Sequence, residues 1–156
     1  MKTTLLAATL AVGLTVAAAA DARSLTIDLK MAGYSGRPAF LVAYVVDGNG
    51  RYVSTLYAAG SNGRYFEHFD RWFRMFSRAR RGVDGTTGAS MGSGDGTSVS
   101  VDVPDSVLNA GYTLRLESAV ESQYYVPDEA EVPLDDAHNG SAISGKSYVS
   151  SMTVSF

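Results

Sequence analysis

Short runs of alternating apolar residues, cut at close intervals by Gly, Pro, Asn and Asp, leave this chain little room to be anything but a sheet protein. Leu25, Ile27, Leu29 and Met31 alternate with polar neighbours, as do Val99, Val101 and Val103, and then Tyr112, Leu114 and Leu116. At the C-terminal end Tyr148, Ser150, Met152, Val154 and Phe156 are expected to share one face. Each run predicts a half-buried strand. Residues 40–46, "FLVAYVV", are apolar throughout and rich in β-branched and aromatic side chains, which predicts a central strand. The turn chemistry of "DGNG" follows and then "RYVSTLY", so these segments are expected to pair as a hairpin. DGNG does not open a calcium loop, because the fifth ligand position falls on Arg51 and the bidentate position on Ala58. The expected fold is mainly all-β, an antiparallel β-sandwich. Residues 126–145, acidic, with two prolines and no periodicity, are expected to form a long surface excursion.

One segment breaks the strand pattern. In "EHFDRWFRMFSRARR" Phe69, Trp72, Phe73 and Phe76 recur at helical spacing, and Arg71, Arg74, Arg78 and Arg81 gather on the opposite side. This predicts an amphipathic helix of about three turns. Two readings stay open for it: a helix over one end of the sandwich with a solvated Arg face, or an Arg stripe that meets phosphate, an acidic partner or a membrane surface.

The first 22 residues have the build of an export signal, with Lys2 ahead of an apolar run and small-residue cleavage sites before Asp21 and before Arg23. Residues 23–156 are then expected to be one periplasmic domain. The sequence contains no cysteine and only two histidines, His68 and His138. Disulfides and thiol chemistry are therefore excluded, and a His-rich metal site is not expected. Net charge is -3, but it is unevenly spread: residues 23–90 carry ten Lys/Arg against five Asp/Glu, residues 91–156 two against ten. Either the fold mixes these charges in space, or the first half favours an anionic ligand and the second an electropositive partner. Nucleic acid is a poor match for an exported acidic protein.

Residues 80–92, "RRGVDGTTGASMG", place three hydroxyls on small, flexible backbone directly after the helix. Gly88-Ala89-Ser90-Met91-Gly92 fits the G-x-S-x-G nucleophile pattern, with His138 downstream as a base. That pattern works only where a buried strand ends and a helix begins at the serine, and neither flank of Ser90 offers them, so a serine hydrolase is disfavoured. A Gly/Ser/Thr-rich connection also suits a plain mobile loop.

Asp84, Gly85, Thr86, Thr87, Gly88, Ala89 and Ser90 resemble the flavinylation motif of exported bacterial flavoproteins, with serine at the acceptor position where threonine is usual. That resemblance implies an ApbE-type flavin transferase as partner and FMN as a covalent cofactor. Ser90 would be the phosphoester acceptor, Asp84 and Gly85 would open the motif, and Thr87, Gly88 and Ala89 would complete it. Arg81, next to the motif, would compensate phosphate charge, as would Arg78 and Arg80. Trp72, Phe73 and Tyr65 would pack on the flavin ring.

The likeness extends over most of residues 25–156. Tyr44, Asp47, Gly50, Tyr52, Val53, Thr55, Leu56, Trp72, Gly111, Tyr112, Leu114, Glu117 and Ala119 stand in an order similar to a family of predicted periplasmic proteins of unknown function. Members resemble a small immunoglobulin-like domain and are associated with flavin transferases and PepSY-type membrane redox proteins. The resemblance implies an immunoglobulin-like sandwich acting as a flavin-carrying electron-transfer or accessory protein, rather than an enzyme with its own substrate pocket. The alternative is a non-catalytic immunoglobulin-like binding or assembly module that docks on a membrane redox protein without flavin.

Overall fold

The computed structural model describes residues 21–60, 63–80, 82, 83 and 85–156. All of the expected export signal except Asp21 and Ala22 lies outside the described residues, as do Arg81 and Asp84. Within them run nine strands: β1 (Ala22–Met31), β2 (Phe40–Val46), β3 (Tyr52–Ala59), β4 (Thr86–Gly88), β5 (Gly96–Pro104), β6 (Thr113–Ala119), β7 (Tyr125–Pro133), β8 (Ala142–Ser144) and β9 (Val149–Ser155). One α-helix, α1 (Asp70–Ala79), lies between β3 and β4 and follows a 3-10 turn, Gly63–His68.

The strands form two sheets, ordered β5-β1-β9-β8 and β4-β3-β2-β6-β7. Their pairings are antiparallel except that β4 lies parallel to β3. Packed face to face, they give the expected β-sandwich, with Leu25, Ile27, Leu114, Leu116 and Met152 fully buried between them. A second apolar layer lies on the outer face of the five-stranded sheet, where Val42, Tyr44 and Val46 meet Phe69 and Trp72. β2 is therefore covered on both faces, which is why "FLVAYVV" shows no alternation. It also corrects the placement of α1, which lies on a sheet face and not over one end of the sandwich.

No side chain caps the start of α1, because its N-cap residue is Phe69. The second sheet supplies the missing acceptors. The Arg71 N–H donates to the Tyr125 hydroxyl at 3.0 Å and the Trp72 N–H to Glu117 Oε2 at 3.4 Å. Glu117 has no solvent exposure, and it also accepts hydrogen bonds from the Tyr44 hydroxyl at 2.6 Å and the Tyr125 hydroxyl at 2.7 Å. A carboxylate at a helix N-terminus is favoured by the aligned peptide dipoles, while burial pushes its pKa above the usual range and its three donors oppose that shift. Trp72 is locked in turn by its indole N–H, which donates to Thr55 Oγ1 at 2.9 Å.

Two sequence expectations are corrected here. Residues 126–145 are not one irregular excursion, since they hold most of β7 and all of β8. β7 is an edge strand, where Pro127 and Pro133 break no inner ladder, and its register shifts opposite Leu116–Ser118, which disguises its period. Its Glu129 is buried, accepting from the Ser118 hydroxyl and from the Ser147, Tyr148 and Val149 N–H groups, and so ties β7 to the start of β9. The second correction concerns the C-terminal strand. Lys30 pairs with Ser151 but Met31 with Val149, so Ser150 bulges out and its hydroxyl donates to the Lys30 carbonyl at 3.0 Å. Val149 takes the inward place expected for Ser150.

Candidate functional site

The Gly/Ser/Thr-rich segment is mostly not a free loop. Thr86, Thr87 and Gly88 form β4, paired with Tyr57, Ala58 and Ala59 at the open edge of the five-stranded sheet. Both motif glycines have a local reason. A Cβ on Gly85 would stand 1.8 Å from the Leu56 carbonyl oxygen, and one on Gly88 would stand 2.7 Å from the Tyr57 hydroxyl. Small residues let the segment lie flat against β3. The next anchor follows at once: Met91 and Ala39 exchange both backbone hydrogen bonds, at 2.7 and 2.9 Å. Gly60 donates to the Gly88 carbonyl at 2.8 Å. Ala89 and Ser90 are thus a short span between two fixed points, Ala89 exposed and Ser90 half-buried.

Beside this span the sandwich is open. β4 closes one sheet and β5 the other, and between them runs a groove of about 450 Å³ with Ser90 on its rim. Thr86, Thr87, Asp95, Thr97 and Ser98 also line it, together with Met91 and Val99, so its walls mix hydroxyls and a carboxylate with apolar surface. Its floor is Tyr57, 3 % exposed, whose hydroxyl shares a hydrogen bond with the Thr97 side chain across the gap. That phenol ties β3 to β5, which belong to different sheets, and burial raises its pKa. Asp95 at the groove mouth is held by the Gly92 N–H, 2.7 Å from its Oδ2. Tyr34 steadies the same turn from behind: its hydroxyl donates to the Met91 carbonyl at 2.7 Å and accepts from the Ala39 N–H at 2.9 Å.

Of the residues picked from sequence, Gly85, Thr87, Gly88, Ala89 and Ser90 fall together along this edge. The hydrolase constellation does not assemble. Ser90 Oγ has no hydrogen-bond partner among the described residues, and His138 pairs with Asp135 at 2.6 Å in the connection from β7 to β8. β8 belongs to the opposite edge of the sandwich. Trp72 is also unavailable to a ligand, being fully buried between α1 and the sheet and stacked on Phe76 at 4.5 Å. Tyr65 stacks on Phe40 at 4.3 Å.

The charge imbalance along the sequence is largely mixed by folding. Arg23 pairs with Asp105, Arg37 with Glu121 and Arg71 with Glu131, each joining the basic half to the acidic half. What is left is local. Arg74, Arg78 and Arg80 are exposed on and just beyond α1 and form no ion pair among the described residues. Neither Arg78 nor Arg80 hydrogen-bonds to a described motif residue.

Tyr44, Thr55, Trp72 and Glu117 are among the residues that carry the family likeness, but the sequence does not show that they join Tyr125 in one buried network. In "YTLRLESAV" Glu117 falls at a polar position of an alternating strand, so nothing in that pattern marks it as buried, and the network forms only because α1 covers this face of the sheet. The network identifies no ligand, but it fixes the helix that leads into the motif.

A family model described as a predicted periplasmic protein, DUF2271, matches residues 22–151. No curated protein and no solved structure matches the chain.

Proposed function

Because the chain belongs to the DUF2271 family of predicted periplasmic proteins, we propose that it is a flavin-carrying electron-transfer or accessory protein of the periplasm, with FMN joined to Ser90 through a phosphoester. The observation that carries this reading is the placement of Ser90. It sits in a short, surface-laid span between two backbone anchors, beside a groove large enough for a small molecule. The residues fit the group: a phosphoester requires a hydroxyl, and Ser90 Oγ is not engaged by any described side chain.

In the attachment step an ApbE-type transferase directs Ser90 Oγ at the flavin-side phosphorus of FAD. The Oγ–P bond forms, the pyrophosphate bond breaks, AMP leaves, and the hydroxyl proton passes to a base of the transferase. Once bound, the flavin supplies one- or two-electron redox chemistry, and the protein supplies orientation and electrostatics. A PepSY-type membrane redox protein is the proposed exchange partner. The export signal of residues 1–22 offers cleavage before Asp21 or before Arg23, and the first is supported by the Asp21 carbonyl, which accepts from the Asp105 N–H, and by Ala22, which pairs with Pro104.

Co-expression with an ApbE-type transferase, followed by intact mass measurement of the periplasmic protein, tests this. One FMN-phosphoryl unit is expected per chain, lost in Ser90→Ala and kept in Ser90→Thr. An unmodified mass, with the same transferase active on a control substrate, rejects flavin attachment.

A second reading is supported by Arg74, Arg78 and Arg80, which are exposed and form no ion pair among the described residues. In it the domain carries no flavin and docks through Arg74, Arg78 and Arg80 on an acidic face of the membrane redox protein. Salt-sensitive binding of unflavinylated protein, lost when Arg74 and Arg78 become Glu, would favour that module.

A further inference from the structure

The two sheet edges beside Ser90 are unlike each other. β4 is three residues long, whereas β5 runs for nine, pairs only with β1, and leaves its other side without a strand partner among the described residues. A free strand edge is a row of alternating N–H donors and C=O acceptors that must be met by water or by a ligand. The pyrimidine side of an isoalloxazine ring presents acceptor, donor and acceptor in its C2 carbonyl, N3–H and C4 carbonyl, a pattern such an edge can satisfy. Between the two edges lies the groove of about 450 Å³, floored by Tyr57 and Thr97. At its mouth Asp95 is fixed by the Gly92 N–H.

We propose that this groove seats the isoalloxazine ring of the flavin tethered at Ser90, with the free edge of β5 at its pyrimidine side and Asp95 setting its potential. This rests on the attachment proposed above. A fixed negative charge beside the ring opposes the electron density gained on reduction, so Asp95 holds the potential down. Tyr57, braced to Thr97, keeps the floor closed and stops the ring from passing into the core.

The test uses the flavin-loaded protein, its loading verified by mass. Iodide quenching of flavin fluorescence is expected to be several-fold weaker than for free FMN. Thr97→Phe, which fills the groove from the inward phase of β5, is expected to restore quenching at unchanged loading, whereas Ser24→Phe on the outer face of β1 leaves it weak. Asp95→Asn keeps an acceptor for the Gly92 N–H, and is expected to move the midpoint potential to a more positive value. Full loading with quenching like that of free FMN, and a potential indifferent to Asp95→Asn, would overturn the seat and leave the attachment standing. Absence of the mass increment overturns both.

Discussion

At the scale of single residues, the glycines of the motif are decided by what lies beneath them. Gly85 faces a backbone carbonyl, which cannot swing aside, and Gly88 faces a phenol hydroxyl that is itself hydrogen-bonded. Gly85→Ala is therefore expected to lower stability by about 1–3 kcal/mol through displacement of β4, and Gly88→Ala by less. Urea denaturation of both variants checks the order. Glu117 makes a second prediction. Its carboxyl is raised above the ordinary 4.5 by burial, so just above that pH the native protein holds a proton that the unfolded chain has released. The contribution of this group to stability consequently falls as pH rises through the window from 4.5 to the raised value. Glu117→Gln should flatten that limb in a series of denaturation curves. Asp47, Asp128 and Asp135 act in the opposite sense at lower pH, their depressed values costing stability as pH falls below 3.8.

Among the elements, α1 depends on a sheet for its caps. Tyr125→Phe removes the acceptor of the Arg71 N–H and one donor to Glu117, and is expected to cost about 1–2 kcal/mol, read as lost far-UV helical signal at intermediate urea. β4 has the opposite character. It is a three-residue edge, and the Gly60 amide that binds the Gly88 carbonyl is expected to exchange with deuterium far sooner than the amides of β2. The paired runs of β1, β2, β3, β5 and β6 were legible from alternation and turn residues. β7 was not, because its bulge, its prolines and its buried Glu129 each imitate a loop in one dimension. α1 was legible as a helix from its aromatic spacing, but nothing in one strand's pattern says which face of a sheet a helix will cover. The site divides in the same way: hydroxyls and glycines are visible in sequence, while the groove exists only because β4 and β5, eight residues apart, end up closing different sheets.

Across the whole molecule, charge follows the fold more than the sequence order. The basic first half and acidic second half leave open whether the charges mix in space or stay apart, and the ion pairs of Arg23, Arg37 and Arg71 stitch the halves together. The surviving excess at α1 is small enough that salt should affect partner binding and leave stability nearly unchanged. The sandwich itself has a more demanding arrangement. β1 lies between β5 and β9, with Ile27 opposite Val99 on one side and Val154 on the other. Deleting residues 149–155 is expected to abolish cooperative unfolding, because β1 would lose one of its neighbours and β8 its only one.

That bracketing also dictates timing. For a chain exported in the unfolded state, the first strand finds its last partner more than a hundred residues later. Until residues 149–155 have emerged, one side of β1 has no ladder to join, so the four-stranded sheet can be completed only when both ends of the chain are present.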